Sequence, residues 1–173
     1  MQVISRRKAL RIIGFSTLSM ASVQALGFQQ TQELALDNCR FVWWRDASRL
    51  RCTFVAPARG WVAVGFGPTL DIIGTRFVMA DPQLDKLRFV EMLAAPTGPM
   101  PYPTGSQVRA FQAITGGRDT NSAWVSFAMA LPFFNGETAL VRPKQKANLM
   151  LAWSTSTDFA HHSAWRRHIK IDV

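Results

Sequence analysis

From residue 40 onward the chain carries apolar side chains at a period of two, in short runs ended by glycine, proline or polar clusters. That period places successive side chains on opposite faces of an extended strand, and no segment of useful length shows the 3.6-residue period of an amphipathic helix. The runs predict strands at Arg40–Trp44, Arg49–Ala56, Trp61–Phe66, Arg76–Ala80, Leu87–Leu93, Val108–Ile114, Ala123–Leu131, Asn148–Ser154 and Arg167–Val173. About nine short strands at this spacing predict an all-β chain folded as an immunoglobulin-like antiparallel sandwich.

Two runs show which face is buried. In Val125–Leu131 the large side chains Val125, Phe127, Met129 and Leu131 alternate with Ser126, Ala128 and Ala130, so the large set belongs in the core. In the last run Ile169, Ile171 and Val173 alternate with His168, Lys170 and Asp172, which predicts one inward and one solvated face. Longer connections at Gly67–Gly74, at Ala94–Gln107 and at Thr155–Trp165 are where functional groups are expected. Residues 26–173 read as one domain, without internal repeats or low-complexity tracts.

The first 25 residues have a different character. Ser5-Arg6-Arg7-Lys8-Ala9-Leu10-Arg11 fits the twin-arginine export pattern, the apolar run Ile12–Ala25 follows, and Val23-Gln24-Ala25 offers small residues for cleavage before Leu26. The run carries Gly14, Ser16, Thr17, Ser19 and Ser22 and falls short of the roughly 20 strongly apolar residues of a membrane span. An ordinary secretory signal shares the basic start but does not need the arginine pair. The expectation is a periplasmic or secreted protein with no transmembrane span in its mature chain, delivered folded by a route that often serves proteins loaded with a cofactor before transport.

Charge and cysteine content narrow the partners. Without Arg6, Arg7, Lys8 and Arg11 the chain keeps 16 bases against 11 acids, a net of +5, and no basic run is interleaved with aromatics, so nucleic acid is not an expected partner. Cys39 and Cys52 flank Asp46-Ala47-Ser48, which reads as a hairpin turn. They either bridge across that hairpin in an oxidising compartment or stay as reduced, buried thiols.

Few residues offer chemistry. All three histidines, His161, His162 and His168, fall in the last thirteen residues. Neighbours in an extended segment point to opposite sides, so at most one member of the His161-His162 pair is expected to face a given pocket. One imidazole in an apolar cavity suits haem iron better than zinc, which needs three or four ligands; the other reading is of two solvent-exposed loop residues. No G-x-S-x-G elbow or third glycine after Gly65-Phe66-Gly67 supports a hydrolase or a dinucleotide site, and Asp71, Asp81 and Asp158 read as isolated turn carboxylates.

The segment Gly60-Trp61-Val62-Ala63-Val64-Gly65-Phe66-Gly67-Pro68 resembles the signature strand of the DOMON family. Phe41-Val42-Trp43, the Gly74 loop, Phe127 with Leu131, and Leu151-Ala152-Trp153 followed by Phe159-Ala160-His161-His162-Ser163-Ala164-Trp165-Arg166 extend the resemblance over nearly the whole mature chain. It implies a β-sandwich related to the cytochrome domain of cellobiose dehydrogenase, in which several members hold haem b between a loop methionine and a late histidine. The spacing to Arg166 selects His162 over His161 as the proximal ligand to the iron. The family's methionine falls on Ile72, which cannot ligate iron, its acidic residue after the loop is Arg76, and its strand arginine is Met129. Met79 or Met100 are then the candidate second ligands, or the iron is five-coordinate. Trp61, Phe66 and Trp153 are expected to wall the ring.

Two functions follow. One is an exported haem b domain that passes single electrons to a redox partner protein. The other is a non-catalytic binding module for a carbohydrate or small apolar ligand, in which the aromatics stack on the ligand and no metal is needed. Either is an electron-transfer or binding domain more than a catalyst in its own right.

Overall fold

The computed structural model describes residues 30–46, 48–83, 86–102 and 110–173. Residues 1–29, on which the expected export signal and cleavage before Leu26 fall, Ala47 of the expected turn, residues 84–85 and residues 103–109 lie outside the described residues. The described chain is all-β, with thirteen strands and no helix. In order these are β1 (Gln32–Leu36), β2 (Cys39–Arg45), β3 (Arg49–Ala56), β4 (Val62–Gly67), β5 (Arg76–Pro82), β6 (Leu87–Ala95) and β7 (Gly98–Pro101). Then come β8 (Phe111–Arg118), β9 (Ala123–Ala130), β10 (Phe133–Asn135), β11 (Thr138–Val141), β12 (Lys146–Trp153) and β13 (Trp165–Asp172).

One sheet has the order β1-β2-β3-β9-β8 and the other β13-β12-β4-β5-β6-β7, every pairing antiparallel, with β10-β11 as a separate hairpin. The alternation read from sequence sets which sides meet. Leu50, Cys52 and Phe54 of β3 and Val125, Phe127 and Met129 of β9 join Val62, Val64 and Phe66 of β4 and Leu149 and Leu151 of β12 in one buried core. Each Val, Leu, Met or Phe among them contributes about 1.5–3 kcal/mol by leaving water, so this inter-sheet layer dominates the stability.

All nine expected strands are present, with ends shifted by up to four residues. The four additional ones escape a pattern reading for identifiable reasons. β1 is an edge strand whose side chains are at most half-buried, and β10 and β11 are only three and four residues long. β7 lies inside the proline-rich connection, and proline is tolerated there because β7 is the outermost strand of its sheet.

The turn after β2 forms as expected: the Asp46 N–H donates to the Arg49 carbonyl, and Asp46 Oδ1 accepts from the Ser48 and Arg49 N–H groups. The cysteine bridge does not form. The hairpin register sets Cys52 opposite Trp43 and Arg40 opposite Val55, so Cys39 sits about four residues, or ~13 Å, along the strand from any partner to Cys52. Both thiols are free and buried.

Candidate functional site

The outward face of the second sheet is also apolar, and a second hydrophobic cluster lies on it. The register explains why. Arg166, Ala152, Ala63, Met79 and Val90 form one transverse row across β13, β12, β4, β5 and β6, and His168, Met150, Gly65, Phe77 and Met92 form the next. Small residues at the centre, larger ones at the sides and basic residues on β13 make a shallow apolar trough. Gly65 is required there, because a Cβ at this position would lie 2.4 Å from the Cβ of Phe77.

The loop between β12 and β13 closes one end of the trough. It returns so tightly that a Cβ on Gly60 would lie 2.0 Å from the Ser156 carbonyl oxygen, which only glycine accommodates. The Trp61 N–H donates to the Ser156 carbonyl at 3.0 Å, and the Trp61 indole Nε1 donates to the Asp158 carbonyl at 3.1 Å. The Gly60-Trp61 pair just before β4 is therefore the seat of this loop. Asp158 turns it by accepting the Ala160 N–H on Oδ1 and the His161 N–H on its carbonyl.

Between loop and sheet lies a cavity of about 140 Å³. Ala63 and Ala152 form its floor, and Met79, Met150 and Phe77 stand along it. Trp61 and Phe159 close the loop end, Ile72 and Pro99 approach from neighbouring connections, and His161, His162 and Arg166 line it from the last loop and β13. Both histidines and Arg166 are exposed, whereas Trp61, Met79 and Met150 are buried.

Ser154, fully buried at the end of β12, organises the histidine pair. Its Oγ donates to the His162 carbonyl at 3.1 Å and accepts from the Ser156 N–H at 3.2 Å. His161 Nδ1 lies 2.9 Å from the same His162 carbonyl. His168, paired with Met150 on the edge of the trough, is held below its ordinary pKa first by burial and then by the Arg166 guanidinium, against the opposing pull of Asp71.

The structure brings His161, His162, Ile72, Met79, Trp61 and Arg166 to one cavity. Both histidines line it, against the expectation that at most one would, because the pair follows a turn closed by the His161 N–H on the Asp158 carbonyl and is not in an extended strand. It does not bring Phe66 or Trp153 there. Phe66 alternates with Gly65 and Gly67 and points into the inter-sheet core, where its ring meets Phe133 at 6.0 Å; Trp153 packs on that same core. A one-residue difference of phase along a strand decides between the two faces. Met100 is exposed on β7, away from the cavity lining. Met150 and Phe77 were missed, although Met150 is in phase with Ala152 within an expected strand. Asp81 is no turn residue: it lies in β5, fully buried between arginines.

No family model and no curated protein matches the sequence. Solved structures share its fold. The cytochrome b domain of pyranose dehydrogenase from Coprinopsis cinerea superposes with a TM-score of 0.58 at 12% identity, over 78% of this chain and 76% of that one. The cytochrome domain of Myriococcum thermophilum cellobiose dehydrogenase does so with a TM-score of 0.57 at 12% identity, over 83% of this chain and 81% of that one. Among the described residues no helix is long and apolar enough to cross a membrane, and none of their His, Cys, Asp and Glu side chains gather in a group of three that could hold a metal ion.

Proposed function

We propose that this chain is an exported haem b-binding domain that passes single electrons to a redox partner protein. The observation that carries this reading is the convergence of imidazole, thioether and guanidinium groups on one apolar trough with a small-residue floor. The donor chemistry suits the group: one imidazole and one thioether of the lining would hold haem iron, whereas zinc would need three or four ligands. His162 is the proximal ligand in this reading. Met79 and Met150 are the thioethers within the cavity lining, Arg166 offers a charge-assisted partner to a carboxylate at the rim, and Trp61 and Phe159 exclude water from the closed end. Haem b, when bound, supplies a one-electron iron couple, whose potential an apolar surround and a weak second ligand would tune.

Export by the twin-arginine route fits the same reading, since it carries folded, loaded proteins. Lysines in place of Arg6 and Arg7 should hold folded protein in the cytoplasm; unchanged delivery would end that part of the proposal. For the haem site, protein produced with haem supplied should show a Soret band that is absent from His162→Ala. A colourless protein under those conditions would sink the reading.

Ile72 favours a second function. It occupies the cavity lining where the resemblance places a methionine, and an apolar cavity ending in Trp61 and Phe159 also fits a metal-free binding module for a carbohydrate or small apolar ligand. A thermal shift of the haem-free protein with such a ligand, unaffected by His162→Ala, would select it.

A further inference from the structure

The Asp81 carboxylate is fully buried and bound from three directions. Its Oδ2 accepts from Arg88 Nη2 at 2.6 Å, from Arg88 Nε at 3.1 Å and from Gln83 Nε2 at 3.1 Å, and its Oδ1 accepts from Arg118 Nη2 at 3.0 Å. Each arginine then reaches a second acceptor. Arg88 Nη2 donates to the Thr157 carbonyl at 2.8 Å, and Arg118 Nη2 donates to the Gly60 carbonyl at 2.7 Å. The Arg88 guanidinium also lies 5.4 Å from the centre of the Phe159 ring.

Those second acceptors belong to the two segments that shape the closed end of the cavity. Thr157 and Phe159 are in the loop that carries His161 and His162, and Gly60 precedes the tryptophan that seats that loop. We propose that Asp81, through Arg88 and Arg118, is a positioning cluster that holds the histidine loop over the trough and thereby sets how firmly the cavity retains its ligand. A buried carboxylate stays charged only with close partners, and a guanidinium fork can serve the carboxylate and a carbonyl at once. Lysine offers the charge without the planar fork. Asp81 is thus the fixed anchor, and Arg88 transmits its position to the loop.

The ligand readout rests on the haem proposal; the loop readout does not. Hydrogen exchange on the purified haem-free protein should show Arg88→Gln and Arg88→Lys speeding exchange across residues 156–162 about tenfold, from loss of the charge-assisted hydrogen bond to the Thr157 carbonyl, while β4 and β12 keep their protection. In haem-loaded protein the same variants should release haem about tenfold faster. Arg40→Gln, which breaks the exposed Arg40–Glu33 pair at the edge of the other sheet, should change neither rate. Where Arg88→Gln fails to fold, Arg88→Lys decides. Loop exchange unchanged in the folded variants, or acceleration spread equally over loop and sheets, would overturn the proposal. Absence of haem binding in the unmodified protein would end the functional reading alone and leave loop exchange to judge the cluster.

Discussion

His161 Nδ1 lies 2.9 Å from the backbone carbonyl oxygen of His162. A carbonyl only accepts, so this ring nitrogen carries the proton, and the imidazole braces the residue that follows it. With Ser154 Oγ donating to the same oxygen, the His162 backbone is held twice. The His162 ring itself makes no hydrogen bond among the described residues and is the free imidazole of the pair.

That division of labour separates two variants. In protein produced with haem, His162→Ala should lose the Soret band, whereas His161→Ala should keep it and bind haem about tenfold more weakly, as expected for one lost hydrogen bond to the ligand's own backbone. A Soret band lost in His161→Ala and kept in His162→Ala would exchange the two roles.

Gly60→Ala should injure the site and the fold together. The added Cβ would stand 2.0 Å from the Ser156 carbonyl oxygen, so the loop must move off Trp61 or the strand must shift. A loss of about 1–3 kcal/mol in urea unfolding is expected, the usual cost of overpacking. A variant as stable as the parent would show that the loop does not need this close approach.

The surroundings of His168 set the expected sign of a pH dependence in the stability. Its folded pKa lies below the ordinary 6.5, by burial first and Arg166 second, so the unfolded chain takes up the proton more readily. The contribution is present above 6.5 and is lost as pH falls from there through the depressed folded value. His168→Gln should therefore lose less stability than the parent when urea unfolding is compared at about pH 7.5 and pH 5. Equal losses in the two proteins would remove His168 from the account.

The two cysteines should behave as inert core thiols. Burial pushes Cys39 up to about 11 and Cys52 well above its ordinary value. A thiolate is the reactive form, so a disulfide-exchange reagent at pH 8 should find no reactive thiol in the folded protein and two after denaturation. The melting temperature should not respond to a reductant. A native protein that gains no thiols on denaturation without reductant would contradict the register described for β2 and β3.

The period of two determined the strands and their buried faces wherever a run was long enough to display it, because side-chain direction in an extended chain is a local property. Ile171 facing inward, and Phe127 and Met129 in the core, were legible for that reason. The Gly60–Gly67 segment also announced itself, since three of its glycines stand where close neighbours exclude a Cβ. What sequence could not supply was which strands become neighbours. Met150 meets the trough because β12 pairs with β4, and Met79 joins it because β4 also pairs with β5; both follow from long-range register. Phe66 and Trp153 were aromatic and close in sequence to the site, yet strand phase turned them to the opposite face. Asp81 looked isolated because Arg88 and Arg118 are brought to it by a hairpin and by the meeting of two sheets, and only that convergence makes burying its charge tolerable.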